Sequence, residues 1–154
     1  MKYEDYIEDT RNWRKRHDRA MIGLDEDLDE LVHDESPSIR QTVARKGRDQ
    51  DLDILVSDKE WTVRMSVASY GRDKDLDILV HDENRSVRSM VAYKGRAKDL
   101  DILVYDENSN VRLSAVHNAD IEHLKILIND EDSQIRQLAT KYLNKLTDEY
   151  VISI

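Results

Sequence analysis

The chain has 154 residues, 37% of them charged, with no cysteine, no phenylalanine and a formal net charge of −9 from 33 acidic and 24 basic side chains. Lack of cysteine excludes disulfides, thiolate metal sites and cysteine nucleophiles. The negative balance sets the whole-molecule field against nucleic acid and anionic lipid, and favours neutral or basic partners. No stretch approaches the roughly 18 apolar residues that span a bilayer. Residues 1–9 are acidic and amphipathic where a secretory signal is basic and then apolar. A cytoplasmic location is the expectation.

Apolar residues at helical spacing run almost from end to end, so each segment has a face to bury despite the high polarity. The chain opens with a predicted helix through Tyr3, Tyr6, Trp13, Arg16 and Ala20 that stops at Gly23. A 24-residue period then takes over. Asp51-Leu-Asp-Ile-Leu-Val56 recurs without change from Asp75 and from Asp99, with looser copies from Asp27 and His123. Arg40, Arg64, Arg88, Arg112 and Arg136 keep the same step, as do Asp34, Asp58, Asp82, Asp106 and Asp130, and Gly23, Gly47, Gly71 and Gly95.

Each copy reads as two helices. The first starts after position 36, 60, 84, 108 or 132, mostly Ser, Asn or Asp in the N-cap role, with Pro37 as a first helical residue. It runs about ten residues, roughly 15 Å, and the glycine ends it in a left-handed conformation. Asp49 and Asp73 are expected to cap a second helix of barely two turns, short enough to be partly 3₁₀, with Leu52, Leu55 and Val56 on one face. The final helix, from Asp132 to Leu146, meets Leu143 where the glycine stood and presents Ile135, Leu138, Ala139 and Tyr142. The closing residues 150–154 are expected to fold onto that last layer or to serve as a docking strand.

Helices this short are marginal alone, so stacking must hold them. Burial of Leu52, Leu76, Leu100 and Leu124 is expected to contribute roughly 1.5 to 3 kcal/mol each before entropy is subtracted. The expected fold is all-α, a short α-solenoid in one domain over residues 1–154. Residues 1–23 are expected to form an N-terminal cap and half-repeat, 24–131 the central repeats, and 132–154 the C-terminal capping helix and tail.

The pattern Asp-x5-Val-Arg-x2-Val-Ala-x2-Gly-Arg-Asp-x-Asp-Leu-Asp-Ile-Leu-Val resembles the HEAT-like repeats of the leucine-rich repeat variant type, found in bacteria and bacteriophages, over about residues 16 to 142. The resemblance implies a stack of two-helix units that serves mostly as an adaptor. One branch of that family carries an iron-sulfur cluster on an N-terminal cysteine motif, which this cysteine-free chain does not have. HEAT-like DNA glycosylases are related in architecture but need a basic groove.

Three groups of residues are candidate sites, and each has a plainer structural alternative. The Asp and Arg positions, from Asp34 and Arg40 to Asp130 and Arg136, read either as an anion-binding row or as a ladder in which each Arg reaches a neighbouring repeat's carboxylate. Asp27, Asp51, Asp75 and Asp99, with Asp29, Asp53, Asp77 and Asp101, form two acidic rows along the short helices. Those rows suit a Lys/Arg surface or imitate a nucleic-acid backbone, unless they are only a solvated face partly neutralised by Arg48, Arg72 and Arg96. Trp61, Tyr70, Tyr93 and Tyr105 stand where other copies are mostly polar, so they are either interface anchors or covers over neighbouring stems.

No catalytic, cofactor or metal site is expected. His33 and His81 lie two repeats apart, roughly 16 to 20 Å, too far to share a metal. His117 and His123 flank a turn with no carboxylate motif to complete a site. The expected function is a non-catalytic protein-binding module, adaptor or inhibitor, whose partner has a basic surface, with neither direct nucleic-acid nor membrane binding. The alternatives are a phage or mobile-element nucleic-acid mimic that inhibits a host defence nuclease, a HEAT-like nucleic-acid binder or glycosylase, and a structural repeat protein with no specific ligand, self-associating through its C-terminal tail or not.

Overall fold

The computed structural model describes the backbone of residues 3–152 and the side chains of residues 10–148. Among the described residues the chain is all-helical, with eleven helices and no strand. It divides into two compact units, Met1–Tyr70 and Gly71–Ile154. No helix is long and apolar enough to cross a membrane among these residues.

The first unit holds α1 (Tyr3–Ile22), α2 (Asp25–Leu31), α3 (Pro37–Lys46), α4 (Asp49–Leu55) and α5 (Trp61–Tyr70). Helix α3 lies between α1 and α5, while α2 packs on α1 and α3, and α4 on α3 and α5. The second unit holds α6 (Asp73–Leu79), α7 (Arg85–Lys94), α8 (Ala97–Leu103), α9 (Ser109–Val116), α10 (Ile121–Leu127) and α11 (Ser133–Ile152). There α9 lies between α7 and α11, and α6, α8 and α10 tuck against these longer helices. In both units a long helix meets its counterpart one repeat later, which brings residues 24 apart in sequence close in space.

Local chemistry sets the helix ends. Oδ1 of Asp34 accepts the Ser36 amide at 2.8 Å, and Asp58, Asp82, Asp106 and Asp130 accept the amide two residues on in the same way. These Asx turns aim the chain into each long helix. Asn84 and Asn108 then cap Ser86 and Asn110, while at Ser36 the helix begins on Pro37 without a side-chain cap bond. Gly47 closes α3 at φ +75°.

The short helices start differently from expectation. Arg48, Arg72 and Arg96 take the N-cap position in extended conformation, and Asp49 and Asp73 are the first helical residues of α4 and α6. No side-chain cap bond forms there. Carboxylates in the first turn face the positive end of the peptide dipoles instead. All three segments are α-helical over seven residues, with no 3₁₀ stretch.

The core is aliphatic. Leu52 and Leu55 with Ile39, Val43, Val63 and Val67 fill the first unit, and Leu76, Leu79, Leu100, Leu103, Leu124 and Leu127 line the second, all essentially without solvent contact. Ile135 and Ala139 of α11 are likewise buried, with Leu138, Tyr142 and Leu146 half-buried beside them. Helix α11 passes Leu143 and reaches Ile152, and the side chains expected from 150–154 to cover the last layer lie outside the described residues.

Candidate functional site

Three of the repeating arginines of the long helices, Arg40, Arg88 and Arg112, are joined to carboxylates one repeat away. Arg40 grips Asp58 through Nε at 2.6 Å and its second amino group at 2.9 Å, while its remaining amino group donates to the Asp34 and Glu35 carbonyls. Arg88 holds Asp106 and Arg112 holds Asp130 in the same two-pronged way. Arg16 of α1 extends the series to Asp34 at 2.8 Å. Arg40, Arg88 and Arg112 each tie the turn of their own repeat to the turn of the next, and such bidentate pairs are the strong ones. Arg64 and Arg136 keep the carbonyl bonds, to Asp58 and Lys59 and to Asp130 and Glu131 respectively. Asp82 accepts the Asn84 amide.

The pairs shift both partners. The hydrogen bonds they donate to Asp58, Asp106 and Asp130 raise Arg40, Arg88 and Arg112 above the usual guanidinium value. Burial pushes the Asp58 and Asp130 carboxyls up, but the guanidinium and amide donors outweigh it and hold both below the ordinary carboxylate value.

The inner acidic row is not a surface stripe. Asp51, Asp75 and Asp99 are only 1%, 1% and 2% exposed. Asp27, held by Arg19 at 2.7 Å, is also largely shielded. The reason is the arginine three residues earlier. From its extended N-cap position Arg48 folds over the first turn of α4 and meets both oxygens of Asp51 at 2.7 Å. Arg72 clamps Asp75 and Arg96 clamps Asp99 in the same way at 2.6 and 2.7 Å. A carboxylate satisfied by a fork of donors can be buried where an unpaired one cannot.

The outer row, Asp29, Asp53, Asp77 and Asp101, does reach solvent. It is partly neutralised. Asp29 accepts from Arg48 and Gln50, Asp77 meets Arg96 and Lys98, and Asp101 meets His123. The Lys98 and Arg96 contacts hold Asp77 below its usual value.

The last repeat reverses the clamp. Asp120 stands in the position of Arg96, and His123 in that of the buried Asp99. His123 is buried, with Nδ1 at 2.7 Å from Asp120 and Nε2 at 3.1 Å from Asp101 of the preceding repeat. The His123 amide, then the ring, lower the Asp120 carboxyl. The exchange is visible on aligning the repeats, but only coordinates show that the imidazole takes over the arginine's reach to the outer Asp.

A further set of contacts covers the glycines. The Tyr70 ring lies against Gly47 so closely that a Cβ there would fall 2.0 Å from Cε2. Lys46 covers Gly23, Lys94 covers Gly71, and Asn118 covers Gly95. Lys46 and Asn118 also bond the Met21 and Tyr93 carbonyls. Tyr70 thus has one ring face on the scaffold and half its surface in solvent. The glycines therefore answer to close approach as well as to backbone conformation.

Trp61, Tyr93 and Tyr105 are exposed, Tyr105 most of all at 68%. Beside them the sequence reading missed Ile54, Ile78, Ile102 and Ile126, which share one repeat position and are also exposed. In the second unit Tyr105 forms the ridge between two clefts of about 410 and 530 Å³. Ile102 lines the first and Ile126 the second. No group of three metal-ligating side chains comes together among the described residues. No protein-family model and no curated protein matches the chain. The function therefore has to be read from these residues.

Proposed function

We propose that the chain is a short α-solenoid of the HEAT-like, leucine-rich repeat variant kind, and that it works as a non-catalytic protein-binding module. The side-by-side pairing of α3 with α5 and of α7 with α9 supports the stacked reading. The observation that carries the functional reading is a division of labour among residues. The recurring leucines, inner aspartates and bidentate arginines are engaged within the scaffold, whereas Trp61, Tyr93, Tyr105 and, at one recurring position, the isoleucines face solvent on a protein that is 37% charged. Exposed aromatic and aliphatic side chains of this kind are the usual anchors of interfaces.

The test is affinity capture from the native host with crosslinking to locate the touched face. The reading expects a protein partner whose crosslinks fall on these exposed apolar positions. Retention of nucleic acid that survives nuclease treatment, with steep salt dependence, would favour a nucleic-acid binder instead.

A further inference from the structure

The clefts on either side of Tyr105 are lined by both apolar and acidic side chains. The first combines Ile102 and Tyr105 with Asp82, Glu83, Asp106 and Glu107 against Arg88. The second combines Ile126 and Tyr105 with Asp106, Glu107, Asp130 and Glu131 against Arg112. Each cleft is thus lined by four carboxylates and one arginine, the first also by His81. That guanidinium is already committed, Arg88 to Asp106 and Arg112 to Asp130. Glu107 and Glu131 touch the edge of those arginines at 3.6 and 3.1 Å, yet they stay 89% and 85% exposed and available to an incoming cation.

Resting on the protein-binding reading above, we propose that this face of the second unit docks a basic amphipathic helix of a protein partner. Apolar side chains of that helix straddle Tyr105 and enter both clefts, and its Lys or Arg residues meet Glu107 and Glu131. The charge balance selects the sign of the occupant. A second copy of this chain docking through the same face would bring the same acidic surface and be repelled. The described residues of the unit hold no strand, which closes sheet-edge addition to an extended peptide. A helix satisfies its own backbone and presents apolar and basic side chains on separate faces, matching the apolar and acidic lining.

The test uses the full chain and three fluorescent 18-residue peptides in anisotropy titrations. The first places Leu on one helical face and Lys on the other, the second scrambles the same residues, and the third replaces Lys by Glu. The proposal expects the ordered Leu/Lys peptide to bind at least ten times more tightly than either control. It also expects at least a tenfold loss with Tyr105→Ala and with the Ile102→Ser/Ile126→Ser pair. All these positions are exposed, so helical circular dichroism should be unchanged and shows that the variants fold. Glu107→Gln/Glu131→Gln should weaken binding several-fold and flatten its salt dependence.

Binding that all these variants leave intact overturns the docking face but leaves the protein-binding reading standing, since the peptide is then held elsewhere. Equal binding of the Glu peptide overturns the charge selection and with it the proposal. Dimerisation of the free chain in sedimentation that Tyr105→Ala abolishes also overturns it, in favour of a second copy. A host partner whose crosslinks avoid both clefts has the same consequence for the face alone.

Discussion

The guanidinium of Arg48 meets both carboxylate oxygens of Asp51 at 2.7 Å, and that carboxylate is 1% exposed in a protein of net charge −9. An acidic composition can thus be spent inside the scaffold as well as on its surface. Replacing Asp51 by Lys puts a second cation beside Arg48 in a buried position. The expected loss is about 3 to 5 kcal/mol, read as a lower urea midpoint. Asp53→Lys, on the exposed side of the same helix, is expected to change stability by about 1 kcal/mol or less.

The same contrast holds for apolar residues of α6. Leu76→Ala is expected to destabilise by about 2 to 5 kcal/mol, since it empties a core site. Ile78→Ala, two residues on and mostly in solvent, is expected to stay within about 0.5 kcal/mol. Equilibrium unfolding of the two variants side by side checks the pair.

Gly47→Ala forces an L side chain into φ +75° and drives its Cβ against the Tyr70 ring. The expected loss exceeds about 1 kcal/mol. In a Tyr70→Ala background the same substitution is expected to cost less, because the contact is gone while the backbone strain remains. A double-mutant cycle measures that difference.

Acid sensitivity follows from Asp58 and Asp130, both held below the ordinary carboxylate value of 3.8 when folded. The unfolded chain then binds more protons than the folded one as pH falls through 3.8, so this contribution is complete above that value and is lost below it. The urea midpoint is expected to show no change from these groups between about pH 7 and 5 and to fall below about pH 4. Asp58→Asn, less stable at neutral pH, should lose less on acidification.

Much of the scaffold is legible in the sequence because a period of 24 repeats its caps, stops and leucines. Pro37, the asparagines at 84 and 108 and the glycines mark the long helices, and the Leu52 series marks the core. Surface and interior were harder to separate for charged residues. Asp51 and Asp53 are two positions apart in one motif, and their different fates depend on where Arg48 swings, which neither spacing nor composition fixes. Ile54 and its counterparts lie off the face that Leu52, Leu55 and Val56 share, and helix α4 and its equivalents are too short and too thinly covered to hide both faces. Tyr105 stood out because other repeats lack an aromatic there, but the clefts on its two sides exist only once the turns at 82–83, 106–107 and 130–131 are placed.

The most direct measurement is amide hydrogen exchange of the full chain, free and bound to the protein recovered by affinity capture. The account predicts added protection concentrated in residues 102–107 and 126–131, around Tyr105 and Ile126. Protection confined to other segments, with these two unchanged, would contradict it.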